Sequence, residues 1–290
     1  MIQNTNQISA SQLIDLKQLT ELCKKKDGSI PNLYTHILTQ PRAFPASLLF
    51  YEDKQLLAFL SVYFFYDDAV EVSLLVHPAH RKQGIAKQLL QTIFPLIQFQ
   101  NYFKLIFSTP SGMNNKLLLN AGYTYCHSEY YMERCELTPV LEYKHNLTFR
   151  LATVDDIPVL CTLDECCFPE KHGDLLDRFN HLLDSREYKI VLAYQDHLLI
   201  GKAHLRWEEK GATLSDIAVY PQYQGKGYGT TLIAHCINHA LEEGKPLLNL
   251  DVETHNKRAL NLYTRLGFAV QNACDFWSID IEQLKQVIGS

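Results

Sequence analysis

At 290 residues, with 47% hydrophobic and 20% charged residues, the chain is long for one domain, comfortable for two, and able to bury a sizeable core. A net charge of −5 excludes nucleic acid as a main partner, because neutralising phosphates needs a basic face. No apolar run approaches the ~18 residues of a membrane span, the polar opening MIQNTNQISA reads as no signal peptide, and eight cysteines without a C-x-x-C pair point to neither a zinc site nor a disulfide framework, hence to a cytoplasmic setting.

In chain order, Leu13, Leu16, Leu19 and Leu22 recur every three residues and predict a helix over roughly 11–26. Residues 47–51 and 55–66 read as a hairpin through Glu52-Asp53-Lys54, and 69–77 as a third strand. A helix over 85–94, a strand over 105–108, a short helix over 114–120 and closing strands over 123–137 complete a first unit, residues 1–140. A linker over 138–146, with a proline and mixed charge, leads to a second unit, 146–290. That unit opens with a strand at Leu147 and a helix N-terminus at Thr153-Val-Asp-Asp, whose acidic first turn suits the helix dipole. Strands over 189–194, 198–208 and 212–220 follow, then a helix from about Thr230, a strand over 246–253 and a helix over 256–266, with Gly267 as its left-handed cap.

The two units repeat each other. Residues 51–86 shifted by 143 fall on 194–229 without a gap, so that Tyr51 meets Tyr194, Val76 meets Val219, Pro78 meets Pro221 and Gly84 meets Gly227. Gly122-Tyr123 matches Gly267-Phe268 at a shift of 145.

The most informative stretch is Leu214–Ile233. A short apolar strand is stopped by Pro221, which cannot donate to a ladder; then Gly225, Gly227 and Gly229 crowd into five residues around Lys226, and a helix begins. Such a turn lets bare N–H groups and a positive helix end converge on an anion, although the glycines alone equally describe an ordinary tight turn. The spacing fits neither a Walker loop nor a dinucleotide fingerprint. Gln224-Gly-Lys-Gly-Tyr-Gly229 resembles the [QR]-x-x-G-x-[GA] signature of the GNAT superfamily of acyl-CoA N-acyltransferases, and Asn256-Lys-Arg-Ala-Leu-Asn-Leu-Tyr-Thr-Arg-Leu-Gly-Phe268 resembles its second signature. The first unit carries its own loop in Arg81-Lys-Gln-Gly-Ile-Ala86, so the chain looks like two GNAT units in tandem, each an α/β unit with a mixed, mostly antiparallel sheet flanked by helices.

The resemblance implies acetyl-CoA as acyl donor and an amine as acceptor. Gln224, Gly225, Lys226, Gly227, Tyr228, Gly229 and Thr230 would hold its pyrophosphate, the backbone of Ile217, Ala218 and Val219 its acyl and pantetheine parts, and Asn256 the pantetheine arm. In the first unit Val76, Arg81, Gly84 and Ala86 form a possible second cofactor loop. Tyr263 would protonate the leaving thiolate; a tyrosine packing a helix on a sheet has the same appearance. Asp251, twelve residues earlier on a strand, resembles a general base. Alternation sends Asn249, Asp251 and Glu253 to one face; Asp251 reads equally as a solvent-facing strand carboxylate, and Glu253 and Asp216 are further candidates for holding a cationic amine. His235 and His239 read as a solvated helix face, His255 as a flanking residue, and no metal is expected. At the shift of 145, Tyr263 falls on Leu118 and Asp251 on Ile106, so the first unit is read as non-catalytic. The expected function is an acetyl-CoA-dependent N-acetyltransferase working from the second unit; the alternative is an acyl-CoA sensor that turns nothing over.

Overall fold

The computed structural model describes residues 1–100, 102–141, 145–168, 174–253 and 257–289. The chain starts with β1 (Ile2–Thr5), α1 (Ala10–Asp27), α2 (Thr35–Leu38), β2 (Ser47–Glu52), β3 (Gln55–Tyr63), β4 (Ala69–Val76), α3 (Ile85–Phe99), β5 (Lys104–Pro110), α4 (Asn115–Asn120) and β6 (Thr124–Arg134). It continues with β7 (Thr148–Leu151), α5 (Ile157–Cys167), α6 (Leu175–Asp184), β8 (Tyr188–Gln195), β9 (Leu198–Trp207), β10 (Gly211–Val219) and α7 (Tyr228–Glu242). The last elements are β11 (Leu247–Glu253), α8 (Lys257–Arg265), β12 (Ala269–Asp280) and α9 (Ile281–Gly289). Mixed sheets, mostly antiparallel and flanked by helices, agree with the expected class. No helix of the described residues is long and apolar enough to cross a membrane.

The chain divides into two compact units, but not at residues 138–146. Unit 1 holds residues 1–130, 253 and 271–289; unit 2 holds 131–252 and 257–270. The expected boundary overlooked the C-terminal strand. In unit 1 the strand order is β1-β2-β3-β4-β5-β12-β6, and β12 pairs antiparallel with β5 from Cys274↔Pro110 to Asp280↔Lys104. Trp277, Ile279, Ile281, Leu284 and Ile288 are buried there with Leu60, Val72, Leu89 and Ile93. Asp275 is 3% exposed and accepts hydrogen bonds from Ser111 Oγ (2.7 Å), the Gly112 N–H (2.7 Å) and Ser128 Oγ (2.5 Å), so it fixes the turn after β5. In unit 2 the order is β6-β11-β10-β9-β8-β7, with β6 contributing Tyr131–Arg134. The presumed linker is itself anchored in unit 2: Arg134, 2% exposed, donates to the Leu266, Glu136 and Thr138 carbonyls, and Val140 exchanges both backbone bonds with the Asn238 amide.

In unit 2, α7 lays Leu232, Ile233, Cys236, Ile237 and Ala240 against the sheet as a buried helical stripe. α5 buries Leu160 and Leu163, while α6 buries Phe179. α3 does the corresponding work in unit 1 and runs on through Pro95 to Phe99, five residues beyond the expected end. The buried Ile97 supplies the packing that offsets the ladder bond a proline cannot make.

A 3₁₀ turn at Val154–Asp156 leads into α5; Thr153 is the turn's N-cap, and Asp156 closes the capping box by accepting from the Thr153 N–H. Its carboxylate accepts from both Arg150 Nη atoms (2.7 and 2.6 Å), from the Thr153 N–H (2.8 Å) and from the Thr153 hydroxyl (3.1 Å). Arg150 above all, then Thr153, holds the carboxyl down at about 2. A carboxyl whose folded pKa lies below its unfolded value stabilises the fold above that value and loses the contribution as pH falls through the folded pKa. Asp156→Asn is therefore expected to cost about 1–2 kcal/mol at neutral pH, the upper range for a lost cap, with the difference shrinking below about pH 3. Urea unfolding of both proteins at pH 7 and pH 2.5 checks this; a difference independent of pH would refute it.

Candidate active site

The site of unit 2 starts from an interrupted pairing. β10 and β11 run parallel and pair at three positions, Gly211↔Leu247, Ala212↔Leu248 and Thr213↔Asn249. Beyond them, six further residues of β10 and four of β11 part company. On its other side β10 pairs with β9 as far as Ser215↔His204 and resumes at Ala218↔Lys202. Asp216 and Ile217 thus stand opposite Ala203 alone: a β-bulge, with Asp216 in the left-handed region at φ 48°. A Cβ on Gly201 would strike the Ala218 carbonyl oxygen, so β9 approaches β10 here more closely than a side chain allows.

The glycine-rich turn follows. Gly225 and Gly227 take φ 80° and 99°, left-handed values that favour glycine, and α7 starts at Tyr228. Gln224 Nε2 donates to the Val219 carbonyl (2.9 Å), tying the turn to the end of β10. Tyr228 donates to Gln195 Oε1 (2.5 Å) and packs on His145, whose Nε2 donates to the Lys226 carbonyl (2.7 Å). Lys226 Nζ stands 5.8 Å above the Tyr223 ring. A Cβ on Gly229 would lie 3.7 Å from Val219 Cγ2, and one on Gly225 3.1 Å from an Arg258 guanidinium nitrogen. The turn therefore combines a positive helix end, uncovered backbone and two cations, Lys226 and Arg258, a cradle that suits a pyrophosphate.

Several expected residues gather here and others do not. Ile217, Ala218 and Val219 form the bulge and the end of β10, and residues 224–230 the cradle. Tyr263 is 8% exposed, edge-on to Phe268, and burial pushes its hydroxyl up to about 12. Asp251 is exposed on β11, and its charge is among those that push up the Tyr131 hydroxyl, after burial and Glu133. Asp216 is not an open carboxylate, because Arg178 Nη2 lies 3.1 Å and His204 Nδ1 3.4 Å from its oxygens. Glu253 groups with unit 1, where it meets His127 and Glu129 with ligand atoms within 4.8 Å of one another, a spacing that could hold a metal ion. His235 and His239 stack in parallel, His235 also on Phe149 at 3.9 Å, which makes them an aromatic column. Asn256 and His255 lie outside the described residues.

Sequence reasoning missed a group of buried charges behind the bulge. Lys202 is fully buried; its Nζ lies 2.9 Å from Asp164 Oδ1, 2.8 Å from His204 Nε2 and 4.9 Å above the Phe179 ring. Asp164 reaches Arg178 at 3.4 Å, and burial pushes both Lys202 and His204 below their ordinary values. The signal is present in Gly-Lys-Ala-His-Leu: two polar residues at i and i+2 within the otherwise apolar run Leu198–Leu205. Arg258 was missed as well, because only the fold brings α8 to the turn.

Unit 1 repeats the cradle but not the opening. Lys82 and Gly84 take φ 63° and 83°, matching Gly225 and Gly227, and Arg81 Nε donates to the Val76 carbonyl (3.1 Å) as Gln224 does to Val219. The Arg81 guanidinium, however, is held by both Asp27 oxygens (2.8 and 2.6 Å). β3 and β4 pair without a break from Ala58↔Val76 to Tyr63↔Glu71, and β4 and β5 pair at five positions. The segment after α1 bonds to β4 and β12: Ser73 Oγ donates to the Asn32 carbonyl, and Ile30 exchanges backbone bonds with the Asn272 amide (2.9 Å each).

The Acetyltransferase (GNAT) family model matches residues 13–111 and 157–268, more than half of the chain in two separate stretches. A thialysine N-epsilon-acetyltransferase from Bos taurus is 37% identical over 71 residues, which is 24% of this chain and 42% of that protein. A streptothricin acetyltransferase from Streptomyces lavendulae is 38% identical over 89 residues, 30% and 46% of the two chains. The [Ribosomal protein bS18]-alanine N-acetyltransferase of Escherichia coli K12 is 44% identical over 57 residues, 20% and 38%. The chain thus spans less than half the length of these relatives. A GCN5-related N-acetyltransferase from Sphaerobacter thermophilus has the same fold over 97% of this chain and 95% of its own, with a TM-score of 0.79 at 16% identity. A tandem GNAT protein from the clavulanic acid biosynthesis pathway shares it over 97% and 99%, with a TM-score of 0.62 at 15% identity. With one family matched twice along its length, this chain belongs to the Acetyltransferase (GNAT) family, as a tandem of two GNAT units.

Proposed function

We propose that the chain is an acetyl-CoA-dependent N-acetyltransferase acting on a primary amine, with its active site in unit 2, and that unit 1 is non-catalytic. The observation that carries this reading is the parting of β10 from β11 beside a bulge and above a glycine cradle, a set of features of which unit 1 keeps only the cradle. The pyrophosphate would sit on residues 224–230 with Lys226 and Arg258, and the pantetheine would run along Val219 and Ala218 to the acyl group at Ile217. The names of the relatives support an amine acceptor, since two of them are N-acetyltransferases. The eight thiols are all free, which suits a reducing cytosol.

In the reaction the amine nitrogen attacks the thioester carbonyl carbon, the C–S bond breaks, and the thiolate takes up a proton while the nitrogen gives one away. Asp251 is the proposed acceptor of that proton and Tyr263 the proposed donor to sulfur. A phenol held at about 12 stays protonated at every physiological pH, so Tyr263 contributes no limb to the pH–rate profile below about pH 10.

Two outcomes check the reading. Tyr263→Phe keeps the ring and is expected to lower kcat by ~10²–10⁴-fold with an unchanged acetyl-CoA Kd; a fall under about threefold would remove Tyr263 from the mechanism. Gly227→Glu puts a charge and a side chain into a left-handed position of the cradle. Titration calorimetry of the full chain should give one coenzyme A per chain and loss of binding by at least about tenfold in this variant, because a carboxylate would stand where the pyrophosphate should sit. Two molecules per chain, or unchanged affinity, would sink the assignment of the donor site to unit 2 alone.

A further inference from the structure

We infer that the buried chain Asp164–Lys202–His204–Asp216, braced by Arg178, holds the β10 bulge in shape, so that these are positioning residues for the acyl end of the donor. The inference rests on the donor site proposed above.

The strand register supplies the first argument. His204 pairs with Ser215, the last ladder residue before the bulge, and Lys202 pairs with Ala218, the first after it. The two residues that flank the break on β9 are thus the two buried polar ones, both fully screened from water. Asp216 itself sits at φ 48°, a region that aspartate tolerates better than most residues but still at a cost. Its carboxylate is caught between Arg178 (3.1 Å) and His204 (3.4 Å), which fixes the backbone that carries it.

Chemistry then dictates the order of the chain. An ammonium only donates, so His204 Nε2 must accept from Lys202, and the ring proton belongs on Nδ1, facing Asp216. Two cations, Lys202 and Arg178, stand against two carboxylates, Asp164 and Asp216. Asp164 pairs with both cations and Arg178 with both carboxylates, so the four charges form one connected group around the buried Lys202–Asp164 pair. α5 brings Asp164, α6 brings Arg178 and β9 the other two, so three elements converge on one bulged residue.

The internal repeat is the control. Lys202 corresponds to Phe59, His204 to Ser61 and Gly201 to Ala58, and there Ser61 pairs directly with Ser73 in an unbroken ladder. Six residues lie between Arg206 and its partner Thr213, whereas seven lie between Tyr63 and Glu71. The shorter turn in unit 2 offsets the residue that the bulge inserts, which is why the repeat aligns without a gap. Where the charges are missing, the bulge is missing.

The test compares coenzyme A with acetyl-CoA on the full chain, because only acetyl-CoA carries the group that the bulge would hold. Asp216→Asn preserves shape and left-handed tolerance while removing the charge. The paired change Lys202→Met with Asp164→Leu removes a buried ion pair without stranding a charge, a replacement that folds often tolerate. In each variant the affinity for acetyl-CoA, relative to coenzyme A, should fall about tenfold, the scale of one lost polar contact, with kcat falling alongside and the coenzyme A Kd within about twofold. Should the double variant fail to fold, Asp216→Asn alone decides. An unchanged ratio and kcat, or equal losses for both ligands, would overturn the inference while leaving the donor site in place. Wild-type protein that binds neither ligand would overturn the donor site and the inference together.

Discussion

In unit 2 two parallel strands bond at three positions and then separate, and the candidate chemistry depends on that separation. Parallel neighbours need a long crossover, here α7, whose buried stripe packs it onto the sheet. The same helix points its positive end at the gap that the strands leave. Opening a sheet exposes backbone groups that must find partners, and a ligand with a carbonyl, amides and a pyrophosphate can supply them. The bulge at Asp216 adds to this by taking two residues out of the β9–β10 ladder on the other edge of the same strand.

Unit 1 shows what the fold does without these devices. Its cradle keeps the two left-handed residues, yet β4 stays bonded to β3 throughout, Arg81 is committed to Asp27, and the segment after α1 bonds to Ser73 and Asn272. In place of a buried charge group, unit 1 gathers Glu71, Glu129, Glu253 and His127. Glu71 is 1% exposed, accepts a hydrogen bond from the Tyr34 hydroxyl (2.8 Å) and is pushed up to about 7 by burial. A carboxyl raised in this way favours the folded state below its unfolded pKa and loses that contribution as pH rises through 7. Two copies of one architecture have therefore placed their buried polar groups differently: behind a bulge in unit 2, and among Tyr34, Glu71 and His127 in unit 1.

The strands and helices were largely readable one by one, and the exceptions are instructive. The helix over 175–184 and the strand and helix over 269–289 lie where the sequence reading places no element, and the polar start hides β1. β1 is short and pairs only at an edge, Ile2↔Phe50 to Thr5↔Ser47, so its sequence carries little apolar periodicity. β12 alternates weakly, and its place beside β5 rests on contacts between residues some 165 positions apart, such as Ser111 with Asp275. A boundary drawn from linker composition could not anticipate that.

What the sequence determined by itself was the family, the tandem repeat and the cradle, because these rest on local features: glycines at left-handed positions, a proline that ends a strand, and apolar residues at helical spacing. What tertiary structure decided was the state of each charged side chain. In sequence Asp216 reads as a carboxylate for a cationic amine, whereas Arg178 and His204 hold it, and Glu253 reads as a neighbour of Asp251, whereas it groups with His127. Arg258 reached the cradle only through the placement of α8. A backbone conformation is set largely within a few residues, whereas the energy of a charge depends on every dipole, charge and water within several ångströms, wherever in the chain they arise.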